Sequence, residues 1–184
     1  MIIGVTGTNG SGKDTVAEIL QNAGFKRFSL SDEIREELKK RGLQENRETT
    51  SKVADELRLQ DLGELSKRVL SKIEKGENSV VVSIRTRAEV KVFADRGDFV
   101  LIGVDASPEL RYERTRGRGR DGDQNSFEYF LEHDIKERGG SADHEQQIDK
   151  LLAIADYVII NNDTKQSFTE KINKLIEEIL DKRG

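Results

Sequence analysis

The chain has 184 residues, enough for one domain with a sizeable core, and a formal net charge of -4. That acidic balance argues against a general nucleic-acid coat, which needs a basic footprint. With no cysteine there is no disulfide framework and no thiolate chemistry, and two histidines, His133 and His144, cannot build a histidine-rich metal site.

Met1 to Thr6 is apolar and β-branched, which predicts a buried strand. Lys13 to Asn22 carries Val16, Ala17, Ile19 and Leu20 at helical spacing, and Gly24 ends that helix. Phe25 to Phe28 reads as a short second strand. Ser31 to Arg41 reads as a helix opened by a serine cap, with Ile34 and Leu38 on one face and Gly42 closing it. Two more helices are expected, about Thr50 to Gln60 and Leu62 to Glu74. "SVVVSI", Ser79 to Ile84, is the clearest central strand; a short helix follows over Thr86 to Ala94. "FVLIGV", Phe99 to Val104, is another buried strand. Pro108 suits the first turn of a helix that Ser107 caps. Gly117 to Asn125 is polar and glycine-rich. Helices are then expected over Ser126 to Arg138 and Glu145 to Ala153, a last strand over Tyr157 to Ile160, and a last helix over Lys165 to Ile179.

Short apolar strands alternating with helices predict an α/β fold with a parallel sheet of five strands covered on both faces. No run approaches the eighteen apolar residues of a membrane span. "MIIGVTG" has no basic leading region, so no secretion signal is expected, and a cytoplasmic location is the default.

Between the first strand and first helix stands "GTNGSGKDT", Gly7 to Thr15. Such a loop turns tightly and aims backbone N–H groups at phosphate oxygens. Gly7, Gly10 and Gly12 keep side chains out of the way, with Asn9 and Ser11 between them. Lys13 opens the helix, whose N-terminus adds favourable partial charge for an anion. Asp14 stands where phosphates would repel it unless a cation intervenes; magnesium is the natural one, with Thr15 as a hydroxyl facing the nucleotide. The plain alternative is a glycine-rich turn with an exposed lysine. A dinucleotide site fits poorly, since it has no use for Lys13.

Transfer of a phosphoryl group between anions needs charge compensation on both. Arg35, on the helix of "SLSDEIREEL", and Arg85, directly after "SVVVSI", both fall near the carboxyl ends of the strands. Arg58 and Arg87 are weaker candidates. Arg111, Arg114, Arg116, Arg118 and Arg120 lead into the glycine-rich turn and suggest a flap that closes over phosphates. Arg111, Arg114 and Arg118 recur at helical spacing and share a face if the helix extends that far. The same arginines are also compatible with a solvated surface helix or an RNA-binding patch. Asp32 and Asp105 are further candidate acids. Asn161 and Asn162 follow the last strand and either surround a base or form a turn.

"GTNGSGKDT", "SLSDEIR", "SIRTRAEVKVF" and the arginine-rich segment together resemble the P-loop nucleoside monophosphate kinases and dephospho-CoA kinases. The likeness is nearest to an archaeal kinase-like group and runs over most of the chain, roughly Met1 to Ile179. It implies a P-loop kinase-like three-layer sandwich with an arginine-rich lid at about 114–125 and an acceptor-side helical region at about 31–75, in a single domain spanning 1–184. Lys13 and Thr15 match the Gly-Lys-Gly-Thr loop common in monophosphate kinases, while Asp14 replaces its third residue, a variant that resembles the Gly-Lys-Asp-Thr form of some deoxynucleotide and related small-molecule kinases. The resemblance puts the acceptor-side arginines on Arg35 and Arg85 and the lid arginines within Arg114 to Arg120. The archaeal group carries Asp-Gly-Ile-Arg where this chain has Val82-Ser83-Ile84-Arg85, so Val82 replaces an acid expected to help magnesium.

The expectation from residues and resemblance together is ATP-dependent phosphorylation of a nucleoside or deoxynucleoside monophosphate. Lys13, Arg35, Arg85, Arg114 and Arg118 are expected to act on the transferring group. Gly7, Asn9, Gly10, Ser11, Gly12, Lys13, Asp14, Thr15 and Asn161 are expected to hold ATP, and Asp14 and Thr15 to hold magnesium. The alternatives are a dephospho-CoA kinase and a nucleotide-dependent regulatory or RNA-associated protein. The expected partner is a small-molecule nucleotide, with no membrane, and with monomer and homodimer both open.

Overall fold

The computed structural model describes residues 1–118 and 125–182. Among them five strands form one all-parallel sheet: β1 (Ile2–Gly7), β2 (Lys26–Ser29), β3 (Ser79–Val82), β4 (Phe99–Asp105) and β5 (Tyr157–Ile160), in the spatial order β2-β3-β1-β4-β5. The helices are α1 (Lys13–Asn22), α2 (Leu30–Lys40), α3 (Arg47–Gln60), α4 (Glu64–Lys72), α5 (Arg87–Ala94), α6 (Pro108–Arg116), α7 (Phe127–Arg138), α8 (Ile148–Ile154) and α9 (Lys165–Asp181).

Strand β1 lies in the middle because every one of its residues is buried. Its register sets Ile3 between Val80 and Val100, and Val5 between Val82 and Ile102. The two-residue period of a strand sends these to one face, where α1 and α9 supply Val16, Leu20, Phe168, Ile172 and Ile176. Ile2, Val81 and Leu101 face the other way, toward residues of α2, α3, α4, α5 and α8. The result is the expected three-layer α/β sandwich. Each fully buried apolar side chain contributes about 1.5–3 kcal/mol, which is what holds helices on both faces. Gly4 has a packing reason: a Cβ there would meet the Phe99 ring at 2.5 Å and Ile84 at 2.8 Å.

The chain leaves β1 for the β2 edge, returns through β3, and then crosses to β4 on the other side. Strand order therefore reverses at β1, and the loop after β1 opens into the crevice where α/β sheets bind ligands. No helix among the described residues is long and apolar enough to cross a membrane.

Several boundaries differ from expectation for local reasons. β3 stops at Val82, not Ile84, because Ser83 turns to φ 65. α3 starts three residues early because Asn46 and Thr49 cap each other's backbone N–H groups. α8 starts at Ile148 because the Glu145 carboxylate instead closes a turn on the N–H groups of Ser141 and Ala142. α2 starts at Leu30 with no serine side-chain cap; Ser29 Oγ donates to Ser83 Oγ at 3.3 Å. Pro108 and the Ser107 cap are as expected.

The arginine face is a correction. α6 ends at Arg116, so Arg118 lies beyond it, and Arg111 is fully buried. Arg111, Arg114 and Arg118 therefore point to three different surroundings. Of the lid expected at about 114–125, positions 119–124, including Arg120, lie outside the described residues.

Candidate functional site

Gly7, Gly10 and Gly12 have φ 142, 78 and 108, all in the region that side chains rarely adopt. Space forbids side chains as well. A Cβ on Gly7 would sit 1.9 Å from the Val104 carbonyl oxygen, and one on Gly10 2.5 Å from that of Arg111. Ser11 N–H donates to Thr8 O at 3.3 Å, and Asn161 Nδ2 donates to Ser11 O at 2.8 Å. The loop is thus a tight backbone cradle at the start of α1. Within it Ser11 Oγ is buried without a hydrogen-bond partner, a polar atom of the kind a bound phosphate would satisfy.

Charge then locks the cradle to the rest of the fold. Thr8 Oγ1 donates to Asp105 Oδ1 at 2.7 Å, and Arg138 Nη2 donates to both Asp105 oxygens at 2.8 and 2.6 Å. Arg138 Nε also reaches Asp134, which pairs bidentately with buried Arg111. Burial works to raise the Asp105 carboxyl, but Arg138, Thr8 and the Ala106 N–H outweigh it and hold it below its ordinary range. Asp105 is accordingly a structural anchor of the loop, and Ser107 caps α6.

Lys13 keeps some exposed stem while its ammonium folds inward onto the Thr8 carbonyl. Burial, and next the Arg85 guanidinium, push its pKa down to about 7; Glu137 and Asp14 pull it up, and Arg118 adds to the depression. Lys13, Arg85, Arg118, Asp14 and Glu137 thus share one electrostatic neighbourhood, although Glu137 is 124 positions from Lys13 in sequence. An inward lysine held short of its ordinary protonation, with arginines beside it, marks a candidate functional site.

The remaining candidates divide. Arg85 Nη1 donates to Glu137 Oε2 at 3.2 Å and to Gln146 Oε1 at 2.8 Å. Arg118 Nη2 donates to Asn9 Oδ1 at 2.8 Å, tying the end of α6 to the loop. Arg114 Nη2 donates to Asn161 O at 3.0 Å, and its buried Nη1 has no partner. Asn161 therefore touches both the loop and Arg114. Asp14 is exposed and accepts from Arg27 Nη2 at 2.9 Å; Thr15 is part-buried beside it. Arg35 is not gathered in. It is exposed on α2 and bonds to Asp32 and Glu45. Arg58 is buried and pairs with Glu89, as a core ion pair.

Several residues of the site escaped the sequence, Glu137 and Glu89 among them. Glu137 looked like one more acid on a charged helix. Glu89 is fully buried, accepts from the Arg85 and Thr86 N–H groups at 2.7 and 3.0 Å, and so fixes the backbone that presents Arg85. Its signal was present as Thr86-x-x-Glu89, the capping-box spacing.

A groove of about 340 Å3 runs elsewhere, along β5 and α9. It gathers few polar groups, whereas the loop gathers many, and convergent polar chemistry is what marks a site.

A family model described as "AAA domain" matches residues 3–138. The UPF0200 protein of Thermococcus kodakarensis is 37% identical over 194 residues, covering 99% of this chain and 100% of that protein. The UPF0200 protein of Pyrobaculum aerophilum is 38% identical over 181 residues, covering 97% of this chain and 94% of its own. Among solved structures, shikimate kinase from Acinetobacter baumannii superposes with a TM-score of 0.63 at 19% identity, covering 99% of this chain and 94% of that one. Dephospho-CoA kinase from Campylobacter jejuni does so at 0.53 and 20%, covering 97% of each chain. At such identities the likeness is one of fold, that of the P-loop kinases.

Proposed function

The chain belongs to the UPF0200 family and carries its AAA-domain match, and from that premise we propose that it is an ATP-dependent phosphotransferase whose acceptor is a nucleoside or deoxynucleoside monophosphate. One observation carries this reading. A glycine cradle with an inward lysine and a separate arginine, Arg85, converge from the ends of β1 and β3 on one electrostatic neighbourhood.

In this reading Gly7, Asn9, Gly10, Ser11, Gly12 and Thr15 hold the donor phosphates through backbone N–H groups and hydroxyls. The charge of the bound phosphates favours the protonated form of Lys13, which sets its ammonium against the transferring group. Arg118 closes from the α6 end, and Arg114 with Asn161 borders the nucleoside. Arg85, and Arg35 once released from Asp32 and Glu45, hold the acceptor phosphate. Positioning and electrostatics carry the reaction, with no covalent enzyme intermediate.

The described residues contain no cluster of three metal-ligating side chains. On this reading magnesium would be held chiefly by phosphates and water, with Thr15 and, once free of Arg27, Asp14 as protein contacts. When bound it would neutralise charge on the phosphate oxygens.

The test is ADP formation from ATP and magnesium over a panel of nucleoside and deoxynucleoside monophosphates, with a no-acceptor control. Stimulation by one nucleotide class supports the reading; ATP binding without any acceptor-dependent turnover overturns it in favour of a nucleotide-dependent regulator. A second reading has its own observation. A hydroxyl acceptor must lose a proton, and Glu137 places a carboxylate beside Arg85. Dephospho-CoA belongs in the panel for that reason, and stimulation by it alone selects the second reading.

A further inference from the structure

Arg85 already has an anion. Glu137 Oε2 accepts from its Nη1 at 3.2 Å, with the Glu137 side chain 17% exposed and that of Arg85 23%. Gln146 adds a neutral oxygen at 2.8 Å on the same nitrogen. The Glu137 carboxylate also acts on Lys13, against Arg85. One acid on the last turn of α7 thus stands among the cations assigned to two different phosphates. The neighbouring residue, Arg138, holds Asp105 and through it Thr8, so that turn is fixed to the loop and Glu137 is not a freely swinging side chain.

We infer that Glu137 is a specificity-determining counter-ion: it stands in for the acceptor phosphate and must give up Arg85 before an acceptor binds. The inference rests on the reading of Arg85 as an acceptor ligand. A guanidinium released from a carboxylate gains little from another single negative charge. It gains more from a dianion that takes two of its five donors at once. The cost of the exchange is the same for every ligand, so it sets a threshold: a terminal phosphate monoester clears it, and a phosphodiester or a carboxylate, which only replaces one charge by an equal one, does not.

The experiment measures binding of methyl phosphate and dimethyl phosphate at pH 8, by calorimetry or by chemical-shift titration, to the full chain and to Glu137→Gln, Glu137→Asp and Arg85→Gln. The full chain is expected to bind methyl phosphate, weakly, and to ignore dimethyl phosphate. Glu137→Gln is expected to bind methyl phosphate about two- to fivefold more tightly, the range of a part-exposed ion pair, and to begin to accept dimethyl phosphate. Glu137→Asp, which keeps the charge, is expected to stay within about twofold of the full chain. Unchanged or weaker binding in Glu137→Gln overturns the counter-ion role. In turnover assays Glu137→Gln is expected to lower acceptor KM while kcat is not lost; a collapse of kcat at unchanged KM makes Glu137 a base and overturns the counter-ion role. Arg85→Gln tests the underlying reading separately. If it leaves methyl phosphate binding intact, the acceptor seat is elsewhere and both statements fall. If it abolishes binding while Glu137→Gln changes nothing, only the counter-ion role falls.

Discussion

The two halves of the proposed site are built differently. The donor side is backbone and enclosed charge: three glycines that admit no Cβ, and a hydrogen bond from Thr8 to Asp105 that leads into ion pairs through Arg138 to Asp134 and Arg111. The acceptor side is part-exposed side chain. Arg35 lies on the surface between Asp32 and Glu45, and Arg85 is held by one acid and one amide. A rigid cradle suits a donor whose phosphates are always the same. Side chains held by exchangeable partners suit a seat that must choose among acceptors. The contrast predicts that damage to the donor side appears first as lost stability or lost turnover, and damage to the acceptor side as altered KM.

The largest expected effect is on the buried network. Asp134→Ala takes from Arg111, which is fully buried, its bidentate carboxylate and leaves only Asp105 at 3.7 Å. Stranding one partner of a buried pair costs about 3–5 kcal/mol. Thermal unfolding should show a fall in Tm on the order of 10 °C for a chain of this size. A fall no greater than that given by Arg35→Gln would erase the contrast between the halves.

Next in size is Lys13→Met. Loss of one preorganised charge on a transferring group lowers kcat by roughly 100- to 1,000-fold. Stability should be kept or raised, because the substitution removes a buried ammonium. Retained kcat would remove Lys13 from the reaction.

The pH dependence of nucleotide binding is smaller and follows from the same group. Free Lys13 has a pKa of about 7 against an ordinary 10.5. Bound phosphates favour the ammonium, so above about pH 7 binding takes up a proton. ATP affinity should therefore fall as pH rises from 7 to 9, by at most about tenfold per unit. Folding stability of the free protein has the opposite sign. The unfolded chain binds more protons at Lys13 between about 7 and 10.5, so this group's contribution improves with rising pH. Calorimetric titrations of ATP in buffers of different ionisation enthalpy read the proton directly, and proton release in place of uptake would contradict the arrangement.

Much of the donor side was legible because its signals are local. "SVVVSI" and "FVLIGV" are apolar on both faces, as central parallel strands must be, and the glycine loop stands in nine consecutive residues. The acceptor side was less legible because its parts meet only in space. Glu137 and Gln146 reach Arg85 from 52 and 61 positions away, and a helical glutamate carries no mark of its partner. Arg111 misled for a related reason. An arginine in a run of arginines reads as surface, and only Asp134, from α7, makes its burial tolerable. Helix starts were lost where an unexpected residue capped, as at Asn46.

The smallest expected effect bears on the joint between the halves. Ser83 is the one non-glycine with positive φ among the described residues, at φ 65. It ends β3 and turns the chain so that Ile84 enters the core and Arg85 emerges at the site, with Thr6 Oγ1 donating to Ile84 O at 2.9 Å. A side chain in that region is strained, and the Ser29 hydroxyl contact at 3.3 Å offsets only part of the strain. Ser83→Gly and Ser83→Ala lose the same hydroxyl, but glycine alone relieves the backbone. Urea unfolding should then find Ser83→Gly more stable than Ser83→Ala by about 1 kcal/mol, despite glycine's greater freedom in the unfolded chain. The glycine variant should also present Arg85 less firmly, raising acceptor KM modestly while the ATP KM stays put. An alanine variant as stable as the glycine one would mean that the turn stores no strain, and that Glu89 and Thr6 suffice to aim Arg85.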